Sequence, residues 1–327
     1  MKLLVIGGTE FVGRHIVERA LRRGHDVTLF NRGKTNPGLF DGVEEIHGDR
    51  GGDLDRLAGR TWDAAVDTCG YVPRIVRASA DALRDSAAHY VFVSSVSAYG
   101  DLTEHGITED SPLGRIDDPT VEEIDELTYG PLKALSENAV RDVFGKAALV
   151  LRPGLVVGPH DPTDRFTYWP HRIDRGGDVL APAPPEAGIQ FIDVRDLADF
   201  TIHAVEASVG GTFNLVTEPD EFTFGSLLET CARVAESDAR FLWADPEFLL
   251  AEGVEPWMGL PLWIPASDDE FANMMQISAD RAVAAGLTYR SLEDTVRDTL
   301  AWDRGRASSE LKAGLPPSTE SELLGAL

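Results

Sequence analysis

The first 31 residues constrain the fold more than any other stretch of this chain. Residues 2–6 (KLLVI) form an apolar run of strand length, GGTEFVG follows, and Phe11, Val12, Ile16, Val17, Ala20 and Leu21 then recur with helical spacing up to Gly24. A second strand candidate, 26–30, comes next. Strand, glycine turn, helix and strand within about 30 residues make a β-α-β unit, in which backbone N–H groups and the helix dipole can hold a pyrophosphate. Gly7 permits the tight turn, and Gly13 lets the helix sit close on the sheet. Further strand candidates at 43–46, 64–67, 90–94 and 147–152 alternate with helical patterns, and Gly, Pro and Asp runs at 31–38, 47–53 and 158–164 punctuate them. The expectation is an α/β chain with a Rossmann-type doubly wound parallel sheet.

A second feature carries chemistry. Tyr129 and Lys133 stand four residues apart in YGPLKALSE, behind the strand-like HYVFVSSVSAYG. Positions i and i+4 share a helical face, so the phenol and the ammonium can both project toward one ligand. A phenol near pKa 10 is a poor acid or base at neutral pH, and a neighbouring cation stabilises its phenolate. That is the pattern of a proton-transfer pair.

Taken in order, these motifs make the chain resemble the extended short-chain dehydrogenase/reductase family, the NAD(P)-dependent epimerase/dehydratase-like group that includes UDP-galactose 4-epimerase. The family's G-x-x-G-x-x-G turn is matched at Gly7, Glu10 and Gly13, its Ser at Ser95 in SSVSAYG, and its Tyr-x-x-x-Lys at Tyr129 and Lys133. Arg152-Pro153-Gly154 and the run QFIDVRDLADF follow in the family's order. Two departures mark an atypical branch: Glu10 replaces the middle glycine, and Ile6 stands where Thr is usual. The GGTEF turn is similar to that of chloroplast stem-loop-binding proteins. A carboxylate beside a pyrophosphate must point away or meet a cation, and Arg14 is the nearest in sequence.

What the resemblance implies is hydride transfer between a nicotinamide and a carbon bearing a hydroxyl or carbonyl, on a small-molecule or sugar-like substrate. Tyr129 would be the acid or base, Ser95 would hydrogen-bond the reacting oxygen, and Lys133 would bind the nicotinamide ribose while lowering the phenol's pKa. The cofactor would meet Gly7, Thr9, Glu10, Phe11, Val12 and Gly13 at the turn, Asp49 and Arg50 near the adenine, and Cys69, Gly70, Lys133, Pro153 and Gly154 further along. An epimerase with retained NAD and a noncatalytic dinucleotide-sensing protein are the alternatives. Where NAD-selective folds place an acid at the end of the second strand, this chain has Asn31 followed by Arg32 and Lys34. Two cations there suit a 2′-phosphate, so NADP is expected in preference to NAD.

Net charge is −25 with a sequence pI near 4.6, which opposes association with nucleic acid or an anionic membrane. Two cysteines, Cys69 and Cys231, give no disulfide framework, and His160 and His171 lack metal-site spacing, so no metal is expected. The chain reads as cytoplasmic, a monomer or homodimer. The dinucleotide domain is expected at 1–152 plus about 189–215, where GTFNLVT looks like a return strand. A smaller C-terminal substrate-binding lobe takes 153–188 and 216–300, and 301–327 is a helical tail. Residues 101–128, rich in Asp and Glu, read as a solvated loop beside the pocket. In DRFTYWPHRIDR, Arg165, Tyr168, Trp169 and Arg172 would share a helical face and contact substrate. Trp243, Trp257 and Trp263 read as core packing.

Overall fold

Alternation along the first strand decides how the sheet is covered. In β1 (Lys2–Ile6), Leu3 and Val5 point to one face, Leu4 and Ile6 to the other, and all four are buried. A strand buried on both sides needs a layer on each. The computed structural model, which describes residues 1–308 and 310–327, supplies both. β1 is joined by β2 (Asp26–Asn31), β3 (Glu44–His47), β4 (Ala64–Asp67), β5 (Tyr90–Val93), β6 (Ala148–Pro153) and a strand at Gly211–Leu215. The order is Gly211–Leu215, β6, β5, β4, β1, β2, β3, and each of these pairings is parallel. This is the doubly wound Rossmann-type sheet expected from the sequence.

Of the ten α-helices among the described residues, the first six position the rest: α1 (Phe11–Arg22), α2 (Pro73–Leu83), α3 (Tyr129–Phe144), α4 (Tyr168–Asp174), α5 (Val194–Glu206) and α6 (Phe224–Ala235). α1 and α5 pack together on the Leu3/Val5 face through Ile16, Val17, Leu197 and Ile202. α2 and α3 cover the Leu4/Ile6 face through Val76, Ala80, Leu83 and Val140. Apolar stripes facing the sheet, more than helix propensity, hold these helices in place.

A separate apolar core forms from residues after 154. Trp169, Phe166, Ile173, Phe224, Leu227, Leu228, Val296 and Leu323 are buried together around a parallel pair of strands, Asp178–Pro182 and Arg240–Ala244. α6 starts with a capping box: the Ser226 backbone N–H donates to Thr223 Oγ1 at 3.1 Å, and the Thr223 N–H donates to Ser226 Oγ at 2.9 Å. The boundary expected at residue 300 falls inside a helix, Leu292–Gly305. The tail is docked: Leu323 is buried in this core, and Glu320 accepts from Arg172 and from the Leu180 N–H.

That docking corrects part of the substrate-face expectation. Tyr168 and Trp169 are core aromatics, the Trp169 indole donating to the Pro261 carbonyl at 2.8 Å. Arg172 is spent on Glu320 and on the carbonyls of Gly176 and Asp178. Arg165 precedes α4 and does not share its face. Helical spacing identified neighbours but not which side of the helix was buried.

Candidate active site

The carboxyl ends of β1, β4, β5 and β6 meet near the point where the order reverses about β1, the usual crevice for a ligand in such sheets. Gly7 has φ +98°, and a Cβ on Gly13 would lie 2.8 Å from the Gly8 nitrogen, so α1 can approach the turn this closely only with glycine there. Thr9 is buried and its carbonyl accepts from Asn36, Phe11 sits at φ +28°, and Val12 packs against the α1-side core. Glu10 is the exposed N-cap residue and makes no side-chain cap, leaving the first N–H groups of α1 open. Arg14 does not balance it. Its guanidinium bonds Glu18 at 2.8 Å and His160 Nδ1 at 3.3 Å instead.

At the end of β2, Asn31 Oδ1 accepts from the Gly33 N–H at 2.7 Å. Arg32 and Lys34 are exposed and make no ion pair among the described residues. Asp49 is exposed, its carboxylate accepting from Gly51 at 2.8 Å. Arg50 departs from expectation: it turns inward and grips Asp67 through two bonds of 2.8 and 2.6 Å, with Ser79 Oγ as a further acceptor. A fully buried Asp67 demands that partner, so Arg50 is not free to face an adenine. Burial pushes the Cys69 thiol up, and its sulfur lies 3.7 Å from Arg50 Nη1.

The sequence YGPLKALSE opens α3 after a turn in which Asp125 Oδ1 accepts from Leu127 and Thr128 at 2.9 and 2.8 Å. Gly130 then does the positioning. A Cβ there would stand 2.1 Å from the Ser97 carbonyl oxygen, so only glycine lets the first turn of α3 lie on the Ser95–Ser97 segment. Ser95 Oγ accepts from the Ser97 N–H at 3.1 Å and neighbours the Tyr129 phenol. Lys133 is buried, donating to the carbonyls of Gly70 (2.8 Å) and Val93 (2.9 Å). The rings of Tyr71, Phe92 and Tyr129 surround its ammonium at 4.8, 5.0 and 5.9 Å. Burial pushes Lys133 down to about 8, with Asp67 pulling the other way. Burial also raises the Tyr129 phenol, opposed by Ser95 and Arg165. The downward pull expected of Lys133 therefore comes from those two.

One turn further along α3, Glu137 bolts the helix down. It accepts from Arg152 through two bonds (2.9 and 2.7 Å), from Ser94 at 2.6 Å and from Arg141 at 2.8 Å. Arg152 is the penultimate residue of β6, before Pro153 and Gly154, and the Gly154 N–H donates to the Leu215 carbonyl at 3.1 Å. Tyr71 was not anticipated. It is 44% exposed beside the otherwise buried Lys133, its ring 6.4 Å from that of Tyr129, and the available signal was an aromatic following Gly70 at the carboxyl end of a strand.

On the far side, Arg165 lies over the Trp257 ring, 5.1 Å from its centroid, so Trp257 is more than core filling. In the acidic stretch 101–128, Asp101, Asp118 and Asp125 cap turns, but Glu109 is buried and accepts from the Asn214 N–H at 2.9 Å. Among the described residues no group of three or more His, Cys, Asp or Glu could hold a metal ion, and no helix is long and apolar enough to cross a membrane.

The sheet, the glycine turn and the meeting of Ser95, Tyr129 and Lys133 define an extended short-chain dehydrogenase/reductase. The chain belongs to the NAD dependent epimerase/dehydratase family, which it matches over residues 3–58 and 58–215. Epimerase family protein SDR39U1 of Bos taurus is 30% identical over 244 residues, 68% of this chain and 76% of that protein. Chloroplast stem-loop binding protein of 41 kDa b of Arabidopsis thaliana is 27% identical over 71% of this chain but only 62% of its own length. Ceramide reductase of Caulobacter vibrioides is 26% identical over 78% of each. Human SDR39U1, solved with NADPH, superposes with TM-score 0.63 at 22% identity, covering 92% of this chain and 99% of that one. A UDP-N-acetylglucosamine 4-epimerase from Bacillus cereus gives 0.68 at 18% identity, covering 94% and 98%. These structures share the fold.

Proposed function

We propose that this protein is an NADP(H)-dependent oxidoreductase acting on a carbonyl or hydroxyl carbon of a small molecule, with Tyr129 as acid or base. The observation that supports the reading is the placement of Tyr129 and Ser95 beside Lys133, whose ammonium donates to the Gly70 carbonyl two residues from the Thr68 side chain that packs against Gly7 of the glycine turn. The residues fit a dinucleotide: the glycines keep the turn tight, the first N–H groups of α1 are uncapped, the exposed Glu10 carboxylate makes no cap bond to them, and Arg32 and Lys34 make no ion pair among the described residues, leaving them for a 2′-phosphate. The NADPH in the human SDR39U1 structure supports the same choice. A bound nicotinamide supplies or accepts the hydride.

The chain's own residues do the rest. In reduction, Tyr129 delivers its proton to the substrate oxygen; in oxidation it takes that proton away. Burial keeps the phenol protonated in the resting site, while Ser95 and Arg165 ease its ionisation. Ser95, held by the Ser97 N–H, donates to the same substrate oxygen. Lys133, whose ammonium donates to the carbonyls of Gly70 and Val93, is the residue that would hold the nicotinamide ribose hydroxyls. The lobe built from 153–188 and the residues after 216 binds the remainder of the substrate.

The test is Tyr129→Phe. It should bind NADPH within about twofold of wild type and lose turnover of a carbonyl panel by at least ~10²-fold. Turnover at the wild-type level would remove the acid–base role. Interconversion of isomers without net NADPH consumption would move the protein to the epimerase class.

A further inference from the structure

We propose that Arg165 reads an anion on the substrate, and that the carbonyl compound reduced here carries a carboxylate. This deepens, and rests on, the oxidoreductase reading of the site. Arg165 is held on two sides and open on a third. Its Nε donates to Thr163 Oγ1 at 3.3 Å, and that hydroxyl donates to Asp161 Oδ1 at 2.8 Å. The guanidinium lies over Trp257. Nη1 and Nη2 have no protein acceptor among the described residues, and there Arg165 makes no ion pair.

Other partly buried arginines of this chain are paired: Arg50 with Asp67, Arg152 with Glu137, Arg172 with Glu320 and Arg306 with Asp164. With 55 Asp and Glu against 30 Lys and Arg, carboxylates are not scarce. An unpaired guanidinium with a fixed Nε edge and a stacked face presents its terminal edge, which matches a carboxylate through two charge-assisted bonds. Asp161 is one threonine away, so a monoanion suits the place better than a phosphate dianion. Burial pushes the Asp161 carboxyl up, which weakens its claim on the guanidinium charge. The guanidinium charge also opposes the rise of the Tyr129 phenol.

The experiment compares benzoylformate with its methyl ester, each titrated calorimetrically into the protein with and without NADPH. Benzoylformate should bind at least tenfold more tightly than the ester, and Arg165→Met should erase the difference while NADPH affinity stays unchanged. Arg165→Lys, which keeps the charge but loses the paired edge, should retain only part of the preference, and it serves if the Met variant fails to fold. Equal binding of acid and ester would overturn the proposal. So would an undiminished preference in Arg165→Met, no detectable benzoylformate binding to wild type, or displacement of benzoylformate by inorganic phosphate at equal concentration. If NADPH binds none of the proteins but the acid preference still depends on Arg165, the oxidoreductase reading falls and the anion site stands.

Discussion

Replacing Glu137 by Gln preserves the shape of the side chain and removes the charge that α3 uses to anchor itself to the sheet. Arg152, 2% exposed, would keep its guanidinium in the core without a counter-ion, and Ser94 and Arg141 would each face a weaker acceptor. Breaking one side of a buried pair costs about 3–5 kcal/mol. With an unfolding entropy of about 2.1 cal/mol/K per residue over 327 residues, that loss lowers Tm by about 4–7 °C. Removing both charges in Glu137→Gln/Arg152→Met should recover much of it, since an apolar replacement of the whole pair is close to neutral. The pH response has a defined sign. Burial alone would raise the Glu137 carboxyl, but Arg152, Ser94 and Arg141 together hold it below the ordinary range. Its contribution is therefore present above the unfolded value of about 4.3 and lost as pH falls through the lower native one. Thermal melts of wild type, Glu137→Gln, Arg152→Met and the double variant at pH 7, and of wild type and Glu137→Gln down to pH 4, measure both effects. A Tm change under about 1 °C in Glu137→Gln, or a double variant worse than the sum of the singles, would refute the counter-ion account.

Arg32→Ala should weaken NADPH by about tenfold or more, roughly 1.4 kcal/mol, and leave NADH nearly unchanged; an equal loss for both would show that Arg32 does not read the 2′-phosphate. Gly130→Ala drives a methyl into the Ser97 carbonyl, so it should separate Tyr129 from Ser95 and cut turnover at least tenfold more than it weakens NADPH binding, both read on the same preparation. Lys133 gives a pH response of the same sign as Glu137 for the opposite reason, since here the buried charge is the unfavourable form. Below about 8 its buried ammonium opposes folding, and between there and the unfolded value of about 10.4 the native state sheds the proton first, so this group's contribution rises with pH. Denaturant midpoints between pH 7.5 and 9.5 should climb less in Lys133→Met than in wild type.

The sheet was legible because alternating burial and strand-length apolar runs are local signals, and six of its strands lie within a residue or two of where the sequence put them. Tyr129, Lys133 and Ser95 were legible because their motifs are short and sit beside those strands. The neighbouring charges were not. Arg50 meets Asp67 from a different strand end, and Arg172 meets Glu320 across 148 residues, a pairing no helical spacing encodes. The i, i+3 and i, i+4 pattern at 165–172 put Arg165 on a helical face although α4 starts only at Tyr168, and nothing in it distinguishes a face turned to a pocket from one turned to a core. Tyr71 escaped notice because its role depends on Lys133, 62 residues later, coming to rest against it.

The docked tail also has a consequence for the order of events during synthesis. The seventh strand of the sheet is complete at residue 215, whereas the second core still lacks Leu292, Val296 and Leu323 at that point. At about 5–20 residues per second, the ribosome needs roughly 5–20 s to deliver the intervening stretch. During that interval the nascent chain would hold a nearly finished nucleotide-type sheet, short of the Ala282 and Leu287 side chains, tethered to an apolar half-core that is still open. The Arg172 guanidinium would wait through the same interval for Glu320, which makes this the stage at which a growing chain is most exposed to chaperone capture or to pairing with another copy.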